Sequence, residues 1–340
     1  MTKRKFIYDK PFDLEGGGQL QQLEIVYQQF GAEVSEGKPI IWVCHALTAD
    51  SNVLDWWKGL FGTGNLFDPA DFTIICANIL SSCYGSSSAL SYSEELGRPW
   101  YHDFPSVTIR DIVRAHDLLR QELGIEQIEL SIGGSTGGQQ VLEWAIMQPQ
   151  VFKQICILAS NAAHSAWGRA FNETQRMAIA ADQTWQENNP NAGKKGLEVA
   201  RAIAMLSYRQ YDTYKESQQD DPEAINDFRA SSYQRYQGQK LSNRFDAFAY
   251  WRLSEAMDSH NVGRGRGSAE KALAQIEATA IIIAISSDVL FPPAEQELIA
   301  KHIPQSHLSI MDSLYGHDGF LIETEKITEI LRPFITCKNS

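Results

Sequence analysis

The segment at residues 127–140, QIELSIGGSTGGQQ, limits the fold of this chain more than any other. An apolar stretch typical of a short strand, at 128–132, runs into a glycine-rich turn, and a helix is predicted to follow. The turn has the pattern G-x-S-x-G, with Gly133 and Gly137 on either side of Ser135. A serine there has a strained backbone, and its hydroxyl points above the sheet. The alternative is a glycine-rich turn with a bystander serine, and the pentapeptide alone leaves both open.

Short continuous apolar runs recur along the chain, and each is typical of a strand buried on both faces. Besides the strand at 128–132, they lie at 39–44, 72–77, 152–160, 280–285 and 307–311. Helices are predicted between them, most clearly the amphipathic one at 107–124, with others at 139–147 and 322–334. A long loop is predicted at 78–105, and residues 20–30 alternate like an antiparallel strand. This alternation of strands and helices predicts the α/β class, with a mostly parallel sheet wrapped by helices.

One long segment, residues 162–275, interrupts the alternation. It has helical periodicity, is rich in Gln, Asn, Arg and Tyr, and contains no run typical of a buried strand. We therefore predict a core formed by residues 1–161 and 276–340, with residues 162–275 inserted as a helical lid domain.

Charge and cysteine content narrow the class of protein. The formal net charge is −12, which argues against nucleic acid or an anionic membrane as the main partner. No apolar run approaches the roughly 20 residues that span a bilayer. The five cysteines are scattered, and none of the usual metal-ligand spacings occurs. We expect reduced cysteines, no bound metal and a cytoplasmic location.

Two further residues make Ser135 a candidate nucleophile. A serine needs a base, and the base needs a carboxylate that orients it. Asp288 follows the strand at 280–285, and His317 follows the strand at 307–311. The order Ser135, Asp288, His317 is the order found in α/β-hydrolases. Taken singly, the aspartate fits a turn or a helix cap, and the histidine fits an ordinary loop. All three residues in this order, each after its own strand, predict a catalytic triad.

The same reasoning predicts an oxyanion hole formed by two backbone amides. One belongs to the residue after the nucleophile, Thr136, and the other to a loop after an earlier strand. The tetrapeptide HALT follows the strand at 39–44, which makes the amide of Leu47 the second candidate. The alternative is that HALT only ends the strand and that His45 packs locally.

Several segments in this order resemble the homoserine O-acetyltransferase family of α/β-hydrolase-fold enzymes. They extend over nearly the whole chain and are HALTAD (45–50), IGGSTGGQQ (132–140), NETQRMAI (172–179), LSYR (206–209), RFDAFAYW (244–251), SSDVLFPP (286–293) and YGHDGFL (315–321).

The resemblance implies an acyltransferase of methionine biosynthesis that acts on L-homoserine and an acyl-CoA, with acetyl-CoA favoured and no bound cofactor. It implies the triad and the oxyanion hole at the positions given above. It also implies that Arg209 binds the carboxylate of homoserine and that Asp318 binds its ammonium group. A solvent-exposed arginine and a loop-capping aspartate are the alternatives that the residues alone favour. The resemblance further implies a homodimer that pairs through the lid helices.

The chain departs from the common family pattern around the acyl site, at Ala49, at Thr136, in SSCYGSSSAL (81–90) and in HDGF (317–320). These departures leave the acyl donor open between acetyl-CoA and succinyl-CoA, and serine remains a possible acceptor. A lidded serine hydrolase, acting as an esterase or thioesterase, would use the same triad. A binding protein on the same fold is disfavoured because all three triad residues are present.

Overall fold

The structure is a computed structural model and describes residues 2–335. Cys337, one of the five cysteines, lies outside this range. The strands are β1 (Arg4–Tyr8), β2 (Phe12–Asp13), β3 (Gln19–Leu20), β4 (Leu23–Phe30), β5 (Ile40–Cys44), β6 (Thr73–Ala77), β7 (Tyr92–Ser93), β8 (Arg98–Pro99), β9 (Ile128–Gly134), β10 (Phe152–Leu158), β11 (Thr279–Ile285) and β12 (Ser306–Met311).

The helices are α1 (Val53–Trp56), α2 (Ile109–Glu122), α3 (Thr136–Met147), α4 (Ala166–Ala180), α5 (Lys194–Tyr208), α6 (Tyr211–Ser217), α7 (Arg229–Ser242), α8 (Ala247–Asp258), α9 (Ala269–Leu273), α10 (Pro293–His302), α11 (Gly319–Ile322) and α12 (Thr324–Leu331). Within residues 2–335, none of these helices combines the length and the apolar content that crossing a membrane requires.

Eight of the described strands form one sheet in the order β1-β4-β6-β5-β9-β10-β11-β12. The strands from β6 to β12 in this order are parallel, and β4 and β1 add antiparallel strands at one edge. The prediction of a mostly parallel α/β sheet is therefore confirmed. Because parallel strands end at the same edge, the residues that follow β5, β9, β11 and β12 gather there.

The sheet is covered on both faces, as its continuous apolar strands predict. In β5, Trp42 and Cys44 face the core formed with α2, α3 and α10. The alternate residues, Ile41 and Val43, face a second core that includes α1 and α12. All four side chains are fully buried, so β5 lies in the middle of the molecule and the loop after it starts from a rigid position.

Three of the predicted elements differ in extent or content from the observed ones. The helix predicted from residue 139 starts at Thr136, because Gly137 and Gly138 weaken the helical signal without preventing the helix. The loop predicted at 78–105 contains the short β7–β8 hairpin. The predicted terminal helix at 322–334 ends as α12 at Leu331 and continues as a 3-10 turn, since Pro333 has no amide hydrogen to donate.

The regular elements described within residues 162–275 are the helices α4 to α9. Helix α5 packs against α4 and α7, and α4 also packs against α8. The short helix α9 lies inside the predicted lid segment but packs against α3 and α10. Near the middle of the insertion, Gln210 Nε2 donates a hydrogen bond of 3.0 Å to the carbonyl of Leu314, which also accepts one from the Thr213 hydroxyl. These contacts hold the start of α6 against the loop after β12.

Candidate active site

Ser135 sits on the turn between β9 and α3 with φ 57° and ψ −126°, a conformation that costs energy for a residue with a side chain. The glycines around it are required by close backbone approach. A Cβ atom at Gly137 would collide with the carbonyl oxygen of Cys44, and one at Gly133 would collide with the backbone of Gly137. The turn therefore presses the start of α3 against the end of β5, and the serine is held at the edge where the strands end.

Asp288 and His317 are hydrogen-bonded to each other. The Nδ1 atom of His317 lies 2.7 Å from Oδ2 of Asp288. The other carboxylate oxygen accepts hydrogen bonds from the amides of Leu290 at 2.8 Å and Phe291 at 2.9 Å. Because both carboxylate oxygens are engaged, the carboxylate has one orientation and directs the opposite ring nitrogen, Nε2, away from itself.

Three aromatic rings surround His317. Phe291 stacks on it with ring centroids 5.1 Å apart, Phe320 meets it edge-on at 5.3 Å, and Tyr208 of the inserted segment lies at 5.7 Å. Phe320 also fills the space beside Gly134, where a Cβ atom would collide with its ring. These aromatic residues were not predicted as part of the site, although Phe291 and Phe320 lie only three positions after Asp288 and His317.

Phe320 contacts both His317 and Gly134, the residue before Ser135, but no hydrogen bond joins the serine hydroxyl to the histidine in residues 2–335. Such bonds are often long without substrate and shorten when it binds. Ser135 is 7% exposed, and Asp288 and His317 are each 3% exposed. A reaction at these groups would thus be shielded from most of the solvent.

The two amides predicted for the oxyanion hole come from adjacent segments. Thr136 is the first residue of α3, and Leu47 follows the neighbouring strand β5 by three residues. Within the described residues, neither amide donates to a protein acceptor. Two unused donors beside a nucleophilic serine can hold the negative charge that develops on an attacked carbonyl oxygen.

His45 orients the loop that carries Leu47. The amide of Ile79 donates to His45 Nε2 at 3.1 Å, so this nitrogen carries no hydrogen. The hydrogen therefore lies on Nδ1 and is donated to the carbonyl of Ala46 at 2.9 Å. Burial lowers the pKa of His45 to about 4, so the ring is neutral near pH 7. The Ala46 carbonyl belongs to the same peptide group as the Leu47 amide, and its hydrogen bond fixes that amide.

Arg209 and Asp318 lie together beside this site. Arg209 ends α5, and its Nε donates to Oδ2 of Asp318 at 3.1 Å. The approach depends on Gly316, whose φ of 60° and lack of a Cβ let the loop lie against the backbone of Tyr208 and Arg209. The structure thus joins a cation and an anion next to His317, an arrangement that complements a zwitterion.

Together these groups can carry out acyl transfer through a serine. The histidine can accept the serine proton, the aspartate can hold the ring, and the amides can stabilise an oxyanion. Among the described residues, no group of three or more His, Cys, Asp and Glu side chains is arranged as a metal site. The four described cysteines, Cys44, Cys76, Cys83 and Cys156, are free.

Comparison with known proteins agrees with the fold described above. A family model described as the alpha/beta hydrolase fold matches residues 39–324. The solved structure of esterase E22 covers 98% of this chain and 100% of its own, with a TM-score of 0.88 and 20% identity. At that identity the likeness shows the fold alone.

Closer relatives define the family. A homoserine O-acetyltransferase of Cyclobacterium marinum is 47% identical over 334 residues, covering 98% of this chain and 95% of its own length. The solved structure of homoserine O-acetyltransferase from Staphylococcus aureus is 29% identical, covers 99% of this chain and 96% of its own, and has a TM-score of 0.82. The chain therefore belongs to the homoserine O-acetyltransferase family of α/β-hydrolase-fold enzymes.

Proposed function

We propose that this protein is a homoserine O-acetyltransferase of methionine biosynthesis. It moves an acyl group from acyl-CoA, with acetyl-CoA favoured, to the hydroxyl of L-homoserine through an acyl-serine. The observation that carries the proposal is the Arg209–Asp318 pair beside the Asp288–His317 hydrogen bond, because it puts zwitterion-binding charges next to the acyl-transfer groups.

In the first half-reaction, His317 accepts the proton of Ser135 while Asp288 holds the imidazole ring. The serine oxygen attacks the thioester carbonyl, and the amides of Leu47 and Thr136 stabilise the oxyanion. Each such donor contributes about 3–4 kcal/mol in comparable sites. The carbon–sulfur bond then breaks, the thiolate of coenzyme A takes the proton from His317, and the acyl group remains on the serine.

In the second half-reaction, homoserine binds with its carboxylate on Arg209 and its ammonium group on Asp318. These two residues pair with each other in the free protein, so the zwitterion exchanges one ion pair for two. The homoserine hydroxyl gives its proton to His317 and attacks the acyl carbonyl. Collapse of the intermediate releases the O-acyl product and returns the proton to Ser135.

Water is the competing acceptor, and the segment at 162–275 acts as the lid that excludes it. Tyr208 and Arg209, at the end of α5, lie directly against His317 and Asp318. The low exposure of the triad supports this role. An open site would favour hydrolysis, since bulk water far exceeds any amino acid in concentration.

The test is coenzyme A release from acetyl-CoA and from succinyl-CoA, each with no acceptor, with L-homoserine or with L-serine. We expect release from acetyl-CoA that depends on homoserine and is absent in Ser135→Ala. Preference for succinyl-CoA or for serine would revise the substrate. Equal release without any acceptor would identify a thioesterase and contradict the proposal.

We also propose a cytoplasmic homodimer that pairs through the lid helices. Val199 and Leu206 lie seven residues apart on α5, so they share one face, and both are more than half exposed. Tyr236 on the adjacent helix α7 is exposed as well. Light scattering should give the mass of a dimer, and Leu206→Asp should give a folded monomer. A monomeric wild-type chain would contradict the pairing.

A further inference from the structure

A buried glutamine, Gln140, joins the two segments that carry the candidate oxyanion amides. Its Nε2 donates to the carbonyl of His45 at 3.1 Å and to the carbonyl of Thr136 at 3.2 Å. The first acceptor lies in the loop after β5, and the second lies in the first turn of α3. The Gln140 side chain is fully buried.

The chemistry of the carboxamide suits this position. Its NH₂ group has two hydrogens, and the two carbonyl oxygens use both. The opposite orientation would direct Oε1 at two other oxygens, so the amide has only one favourable placement. Gln140 lies one helical turn after Thr136, and helical side chains lean towards the helix N-terminus, which brings the carboxamide back to the start of α3.

We propose that Gln140 is a positioning residue for the oxyanion hole, fixing the Leu47 segment relative to the Thr136 amide. The inference rests on the proposed function for the identity of the two donors. The His45 carbonyl precedes the Ala46–Leu47 peptide, so a shift of this carbonyl would turn the Leu47 amide. A misplacement of about 1 Å in such a site can reduce the rate about 100-fold.

The neighbouring residue, Gln139, provides a matched control. It is also fully buried in α3, and its Nε2 donates to Oδ1 of Asn161 at 2.9 Å, away from both oxyanion segments. In residues 2–335, the Oε1 atoms of both glutamines have no hydrogen-bond partner. Gln139→Met and Gln140→Met therefore remove the same group from the same helix, but only the second change reaches the oxyanion loop.

The experiment measures acylation of the serine by p-nitrophenyl acetate in stopped flow, without homoserine. A fluorophosphonate titration counts the competent sites, so rates are given per folded site. We expect Gln140→Met to lower the acylation rate constant about 10- to 100-fold with little change in KM. Gln139→Met should stay within about twofold of the wild type.

Gln140→Glu keeps the shape and gives a second readout. Its protonated form donates one hydrogen, whereas its ionised form repels both carbonyl oxygens. Its rate per site, relative to wild type at the same pH, should therefore fall as the pH rises. The proposal is overturned if Gln140→Met and Gln139→Met acylate alike, or if the Gln140→Glu ratio is independent of pH. Because the assay contains no acceptor, it tests the role of Gln140 even if the enzyme proves to be a hydrolase.

Discussion

The sheet and the helical segment at 162–275 contribute to the candidate site in different ways. The core supplies Ser135, Asp288 and His317 from the ends of three parallel strands, and each is held by backbone contacts or a buried hydrogen bond. The segment at 162–275 supplies Arg209 from the end of a helix, where the side chain is 23% exposed and, among residues 2–335, forms its one ion pair with Asp318. Under the proposed function, the difference means that acyl chemistry belongs to the rigid sheet edge, whereas the choice of acceptor depends on the junction between the sheet and the segment at 162–275.

The fold alone does not separate transfer from hydrolysis. Esterase E22 shares the fold of this chain over nearly its full length. A comparison that separates the two regions must therefore measure the two half-reactions independently. Acylation without an acceptor reports on the core, and the dependence on homoserine reports on the junction with the lid.

The largest effect is expected for Ser135→Ala. Removal of the nucleophile should lower acylation and overall transfer together by about 10⁴-fold or more, since no acyl-enzyme can form. Stopped-flow kinetics measures the acylation rate, and steady-state coenzyme A release measures the overall transfer rate. The far-ultraviolet circular dichroism should remain that of the wild type, because alanine fits the same turn. A burst that persists in this variant would mean that another residue is acylated.

A slightly smaller loss is expected for Asp288→Asn. The asparagine can keep the hydrogen bonds from the amides of Leu290 and Phe291 through its oxygen. Its NH₂ group would then face Nδ1 of His317. Because an NH₂ group cannot accept a hydrogen bond, the histidine hydrogen would move to Nε2, which is the wrong tautomer for a base. We expect kcat to fall about 10³- to 10⁴-fold with little change in KM. A loss below tenfold would mean that the carboxylate does not orient the base.

Arg209→Met should separate the lid contribution from that of the core. Loss of a charged contact to the substrate carboxylate should raise KM for homoserine about 30- to 100-fold. Acylation without an acceptor should remain within about threefold of the wild type, because the triad is intact. Asp318→Asn is the companion variant, with the same expected pattern through the ammonium group. If either variant lost acylation as strongly as it lost transfer to homoserine, the two regions would not control separate half-reactions.

Much of the core could be predicted from the sequence because a buried parallel strand leaves a clear signal. Its apolar run is continuous, and polar residues directly after it must lie at one edge of the sheet. The apolar runs, with the alternation at 20–30, predict the seven strands β4, β5, β6, β9, β10, β11 and β12, and they place Ser135, Asp288 and His317 after three of these strands. It missed β1, whose sequence RKFIY mixes charged and apolar residues, as is common for an edge strand.

The remaining contacts of the site depend on tertiary packing that no local pattern encodes. Gln140 looks like any polar residue in a helix, and only the fold shows that its carboxamide reaches the loop after β5. Arg209 and Asp318 are more than 100 positions apart, and their pairing depends on how the end of α5 meets Gly316. Only the family resemblance connected these two residues in advance.

The smallest expected effect concerns acid stability and tests whether the two regions unfold as one. Burial lowers the pKa of His45 and His164 to about 4 and that of His116 and His260 to about 3, from 6.5. The unfolded chain therefore binds more protons in this range, and stability falls as the pH drops from about 6.5 to 4. Burial raises the pKa of Asp246 to about 6, which has the opposite sign and offsets part of the loss.

Each buried histidine should cost about 2 kcal/mol of stability at pH 5. His116→Leu, in the core beside Trp42 and Trp144, should reduce the loss between pH 7 and pH 5 by about this amount. His260→Leu, where the inserted segment rejoins the core, should do the same if both regions unfold in one transition. Urea denaturation at the two pH values, followed by tryptophan fluorescence, measures both. If His260→Leu changed only a separate early transition, the lid would unfold independently of the sheet. Arg209 would then be positioned less firmly than the triad residues of the core.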